Sequence, residues 1–186
     1  LIGLGGADLL FGGTGADSFD GGGGTDTVSY GETTIAVKAD LQYSQLNTGI
    51  AAGDTYTGIE NLIGTARNDD LRGDGGDNTL NGLVGDDYLT GRDGDDVLRG
   101  FGGDDKLTGG AGADSLDGGA GQDSVRYLDS SAGLTVDLQF VSANTGIAAG
   151  DTYSGIEDLF GSNHDDHLKG DDDDNVIEGR NGDDTI

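Results

Sequence analysis

The chain contains no cysteine, proline, methionine or tryptophan among its 186 residues. Without cysteine there is no disulfide framework, so any stapling of the fold has to come from elsewhere; the absence by itself assigns no compartment. Basic residues are scarce: 9 Lys and Arg stand against 36 Asp and Glu, for a formal charge of −27 at pH 7. Phosphate contacts need a Lys/Arg surface, so nucleic acid is not an expected partner. No stretch approaches the roughly 18 apolar residues of a membrane-spanning helix. The only histidines, His164 and His167 in NHDDH, come without HExxH or any cysteine, and read as exposed turn residues rather than a zinc site. No Ser-His-Asp set is recognisable, and the many carboxylate pairs lack the pocket and unlike environments that acid–base work requires. High charge with 6% aromatics would ordinarily signal disorder.

What the chain does have contradicts disorder. Of its 39 glycines, thirteen open nine-residue units and ten stand at the fourth place of those units. Residues 64–126 divide into seven nine-residue units, from GTARNDDLR to GGAGQDSVR, with glycine first, Asp sixth except at Asn78, and an aliphatic residue eighth. Residues 1–29 contain three further units and residues 161–186 three more, so that all thirteen eighth places hold Leu, Val, Ile or Phe. A strict nine-residue period fits no amphipathic helix, because at 100° per residue the apolar position would wander around it. Each unit reads as a turn followed by a short strand. Two 34-residue insertions, 30–63 and 127–160, interrupt the period and are near copies 97 positions apart, as in Asn47–Tyr56 and Asn144–Tyr153. Each is expected to supply two longer strands (Ile35–Leu41 and Ile59–Ile63; Leu134–Leu138 and Ile156–Phe160) around a surface loop, residues 42–57 and 139–154. The chain opens and stops inside a nonapeptide, as a fragment of a longer protein would, so missing targeting signals carry no weight.

The pattern resembles the G-G-x-G-x-D-x-U-x nonapeptide of the RTX (repeats-in-toxin) family, whose repeat is a standard signature of a calcium-binding parallel β-helix. The resemblance implies an all-β, right-handed parallel β-roll, in which six-residue turns help bind Ca²⁺ and two units make a coil of eighteen residues. Family ions lie between the turns of units i and i+2, held by sixth-place side chains and backbone carbonyls. Carried onto this sequence, that pairs Asp69 with Asp87, Asp87 with Asp105, Asp105 with Asp123, Asn78 with Asp96, Asp96 with Asp114, Asp8 with Asp26 and Asp166 with Asp184. Asp17 is a further ligand position. Carbonyls near Gly13, Gly15, Gly22, Gly24, Gly85, Gly94, Gly103, Gly112 and Gly121 complete the set, for about four to seven ions per chain. Glycine is missing from the fourth place at Arg67, His164 and Asp173, so irregular turns are expected there. The fifth-place acids Asp86, Asp95 and Asp104 read as exposed charge.

The functional expectation joins both strands of reasoning. Clustered carboxylates repel until a cation sits between them. The family adds type I secretion of a bacterial protein that is disordered at low cellular calcium and folds outside the cell, as a monomer. Other roles within the family's range are an adhesive module binding polysaccharide or a cell surface, and a non-catalytic C-terminal module of a secreted protease, lipase or alginate epimerase.

Overall fold

A computed structural model describes residues 1–186. Successive nonapeptide strands alternate between two sheets. Sheet A runs, in spatial order, through Leu9–Leu10, Thr27–Ser29, Asn61–Ile63, Thr79–Val84, Val97–Gly102, Ser115–Ala120 and Thr152–Ser154. Sheet B runs through Val37–Asp40, Asp70–Arg72, Tyr88–Asp93, Lys106–Ala111, Ser124–Arg126, Asp158–Phe160 and Val176–Glu178. These strands pair in parallel, and only Thr48–Gly49 adds an antiparallel edge, on Val37–Lys38. The chain is a parallel β-roll.

Its register follows from the period. Leu80, Leu98 and Leu116 are direct partners on sheet A, and Leu71, Leu89, Leu107 and Val125 on sheet B. Side chains alternate along a strand, so an eighth-place residue points inward while the seventh and ninth face solvent. Burying each such Leu contributes about 1.5–3 kcal/mol. The apolar strip is one residue wide on each sheet, however, which leaves the turns to supply the rest of the cohesion. All 26 buried apolar residues belong to one cluster, so the insertions do not divide the roll.

The last strand of each insertion stacks directly on the last strand before the insertion. Thr27–Ser29 pairs directly with Asn61–Ile63, and Ser124–Arg126 with Asp158–Phe160. The two strands expected of each insertion are present at Val37–Asp40 and Asn61–Ile63, and at Thr135–Asp137 and Asp158–Phe160, but they are three or four residues long. The longest strands, six residues each, belong to the central nonapeptides. Each insertion also carries a third strand inside its expected loop: Thr55–Thr57 pairs with Ser18–Asp20, and Thr152–Ser154 with Ser115–Asp117. Thus the chain runs forward to pair Val37–Asp40 with Asp70–Arg72, which follows the insertion, then turns back so that Thr55–Thr57 covers a strand that precedes it. An unpaired row of N–H and C=O groups next to Phe19 is thereby avoided. The second insertion repeats this path with the sheets exchanged. The copy of Asn61–Ile63, in sheet A, is Asp158–Phe160, in sheet B, because seven units separate the insertions and seven is odd.

Candidate metal centre

The sixth-place side chains stack along both edges of the roll. Each backbone N–H donates to the Oδ1 of the residue eighteen positions on. On one edge Asp69 donates to Asp87, Asp87 to Asp105 and Asp105 to Asp123, all at 2.7 Å. On the other, Asn78 donates to Asp96 at 2.8 Å and Asp96 to Asp114 at 2.9 Å. Asp8 and Asp26 are joined at 2.8 Å, Asp166 and Asp184 at 2.9 Å. All seven pairs implied by the spacing are brought together. Asp17, which has no partner eighteen residues on, donates instead to Asp54 of the first insertion at 2.8 Å.

The glycines have two separate reasons. At the first place the reason is space: a Cβ on Gly91, Gly100 or Gly109 would collide with the Oδ2 of Asp96, Asp105 or Asp114 in its own unit. At the fourth place it is conformation, since Gly15, Gly24, Gly85, Gly94, Gly103, Gly112 and Gly121 all have positive φ. There the carbonyl of one turn faces the glycine of the next, Gly85 O toward Gly103, Gly94 O toward Gly112 and Gly103 O toward Gly121. Gly13 and Gly22, at second places, also have positive φ. Leu83, Arg92 and Phe101 share that conformation, at a cost of roughly 1–2 kcal/mol each for a side-chain-bearing residue. No signal in the sequence marks them, because the second place is variable.

The second carboxylate oxygens define the site's chemistry. The Oδ2 atoms of Asp8, Asp17, Asp26, Asp87, Asp96, Asp105, Asp114 and Asp123 are buried without a hydrogen-bond partner. A buried unpaired carboxylate oxygen costs several kcal/mol, and the titration behaviour reflects this. Burial, reinforced by neighbouring carboxylates, pushes Asp87 and Asp96 up to about 7 and Asp105, Asp114 and Asp123 up to about 6. No group of three or more His, Cys, Asp or Glu converges on one point, so an ion here would take carboxylates from adjacent turns together with backbone carbonyls. Such an all-oxygen set fits a hard cation that accepts six to eight ligands.

Some turns are closed by the protein itself. The Oδ2 of Asp69 accepts from Thr65 N–H at 2.5 Å and that of Asp166 from Ser162 N–H at 2.6 Å, while both hydroxyls also donate to these carboxylates. Asn78 and Asn175 accept in the same way from Asp74 N–H at 2.7 Å and Asp171 N–H at 2.8 Å. These are the first two units after each insertion. The irregularity shows in the sequence at Arg67, His164 and Asp173, but its cause lies at the second place, where Thr65, Asp74, Ser162 and Asp171 turn their N–H groups onto the sixth-place side chains. Asp54 and Asp151 were not anticipated as rungs. Asp114 donates to Asp151 at 3.0 Å as Asp17 does to Asp54, and the Oδ2 atoms are taken by Tyr30 and Tyr127 hydroxyls at 2.7 Å. The tyrosine and asparagine positions that recur 97 residues apart were the available signal. The fifth-place acids are exposed but ordered in a ladder of opposite direction, with Asp104 N–H donating to Asp86 and Asp95 N–H to Asp77. His164 lies in a turn closed by its N–H bond to Ser162 Oγ, and His167 is the exposed first residue of the strand His167–Lys169.

Stacked, carboxylate-edged turns with orphaned oxygens on a two-sheet solenoid define a metal-binding parallel β-roll. The family model of the RTX calcium-binding nonapeptide repeat (4 copies) matches residues 1–32, 54–89, 63–98, 90–125 and 151–186, about three quarters of the chain. The chain belongs to this family, and is a calcium-binding structural module rather than a catalytic one. No curated protein matches it. The unmatched segments are 33–53, within the first insertion, and 126–150, which but for Arg126 lies within the second.

Proposed function

We propose that this module is a calcium-triggered folding element of an exported bacterial protein, with ions held by Asp8/Asp26, Asp87/Asp105, Asp105/Asp123 and Asp96/Asp114 and by the carbonyls of the same turns. The observation that carries this reading is the set of eight buried Oδ2 atoms without a partner. Each has the position and charge for a cation, and none has another means of satisfaction. Asp69, Asn78 and Asp166 contribute less, since protein donors already occupy their oxygens. Without calcium, 36 acidic residues against 9 basic ones keep the chain expanded, a state suited to a narrow type I secretion channel. In a calcium-rich medium, binding to the folded form alone draws folding forward by mass action. Rungs shared between successive turns make the response cooperative, as in other one-dimensional arrays.

A calcium titration followed by far-UV circular dichroism, with magnesium as control and calorimetry for stoichiometry, tests the proposal. A steep gain of β-signal with calcium and not magnesium is the expected result. A chain that is fully folded in chelator and indifferent to calcium would overturn it.

A further inference from the structure

Each insertion ends in a Gly-Ile-Glu turn, Gly58–Glu60 and Gly155–Glu157. It takes three residues where a nonapeptide takes six to pass from its first-place glycine to its acid. Despite the shortening, this turn occupies the next rung of a ladder. Asp26 N–H donates to Glu60 Oε2 at 2.7 Å, and Asp123 N–H to Glu157 Oε2 at 2.8 Å, the place filled elsewhere by the Oδ1 of an Asp eighteen residues on. The extra methylene of Glu carries its carboxylate to the rung from a backbone that lacks three residues. The carbonyls match as well. Gly58 O and Gly155 O face Gly21 and Gly118, just as Gly109 O faces Gly91 and Gly118 O faces Gly100 in regular turns.

Below each Glu the aspartate of the preceding turn keeps one oxygen without a donor. Asp26 and Asp123 are both 0% exposed, and their Oδ2 atoms have no partner. A Cβ on Gly21 would meet both Asp26 Oδ2 and Gly58 O, so the two oxygens converge on one cradle. The unit above avoids a further carboxylate: Asn78 stands there, and its Nδ2 donates to Glu60 O at 2.9 Å. Asn175 holds the same place after Glu157. Glutamate is otherwise rare, with only Glu32 and Glu178 elsewhere among the 36 acidic residues.

We propose that Glu60 and Glu157 are calcium ligands, each closing an additional site with Asp26 or Asp123 and the Gly58 or Gly155 carbonyl; the proposal rests on calcium occupying the aspartate ladders. The insertions then terminate each ladder with a filled site, and the donors are again all oxygen, as a hard cation requires.

The test labels the glutamate side-chain carboxyl carbons with ¹³C and follows by NMR the replacement of calcium by a paramagnetic lanthanide in the already folded chain. Two of four resonances, assigned to Glu60 and Glu157 by substitution, are expected to shift strongly, and those of Glu32 and Glu178 to move least. Native mass spectrometry of Glu60→Gln/Glu157→Gln is expected to lose two ions per chain, or to require about tenfold more calcium to fill them, since ligand charge sets affinity. A Gln carbonyl oxygen can still accept from Asp26 and Asp123 N–H, and circular dichroism in saturating calcium checks the fold. Should that variant not fold, the labelled wild-type chain decides. Asp105→Asn separates the two readings. If Asp105→Asn weakens calcium binding while the glutamate resonances and ion count do not move, the glutamate sites are refuted and the aspartate ladders stand. If neither substitution changes calcium binding and no resonance moves, both readings fall.

Discussion

In the central nonapeptides, Asp87, Asp96, Asp105, Asp114 and Asp123 each present a buried oxygen to which the protein offers nothing. In the insertions, Asp54 and Asp151 are stacked on the same ladders by the same backbone bond, yet that oxygen accepts a tyrosine hydroxyl at 2.7 Å. Around it the closure is thorough. Tyr30 and Tyr127 are buried, their hydroxyls touch those of Tyr56 and Tyr153, and Asn47 Nδ2 donates to Asp54 O at 3.1 Å. One backbone scheme therefore has two endings, one left open and one self-sufficient. A buried carboxylate of this roll keeps an oxygen without a partner only where second-place and insertion residues leave it unattended.

The largest test of this contrast is chelation at neutral pH. As calcium is withdrawn stepwise, amide hydrogen exchange is expected to lose protection first across residues 85–126, with residues 37–63 and 134–160 following at lower calcium; simultaneous loss would erase the distinction. Acid should act next. The five central aspartates have folded-state values near 6 to 7 against about 3.9 when unfolded. For a raised carboxylate the associated stability is fully present below the unfolded value and is lost as pH rises through the folded one. The calcium-free chain should therefore gain β-signal as pH falls from 8 to 5, and the calcium midpoint should rise over the same interval. No acid-induced signal in chelator would count against buried, unpaired carboxylates.

A smaller and more local effect is expected from Tyr30→Phe and Tyr127→Phe. Each leaves a buried carboxylate oxygen unpaired, at about 1–3 kcal/mol, so denaturant midpoints at limiting calcium should fall. Saturating calcium should recover part of the loss, because the freed oxygen then resembles a central rung. Loss of equal size at limiting and saturating calcium would mean that the tyrosine acts through packing alone. The smallest change is expected from Thr65→Val, which removes one hydroxyl donor to Asp69 while the N–H bond remains. A cost of about 0.5–1.5 kcal/mol is predicted, read from the same denaturation curves.

Much of this was legible in the sequence, for physical reasons that can be named. A nine-residue period with an inward eighth residue reads as a turn and a strand, and the family resemblance adds the two-unit coil from which the sheets, their register and the stacked Asp pairs follow. The choice between open and closed turns did not follow. It depends on a hydroxyl at Thr65 or Ser162 reaching four residues along the chain, and on Tyr30 crossing to Asp54, 24 residues away. The returning strand Thr55–Thr57 has no sequence signal for a related reason. Its partner Ser18–Asp20 lies 37 residues earlier and follows no period. Glu60 and Glu157 stand outside the pattern because a three-residue turn breaks the spacing that the other acids keep.

The exchange of sheets between the two insertions bears on how such a chain would be extended. Each insertion is a bulky asymmetry on a slender support, and a row of them on one side would crowd and bend it. With an odd number of half-coils between copies, the next bulge falls on the opposite side and the two distortions oppose one another. A concatenation of these superperiods would stay straight and would show its loops alternately to either side, so that it could touch two surfaces at once.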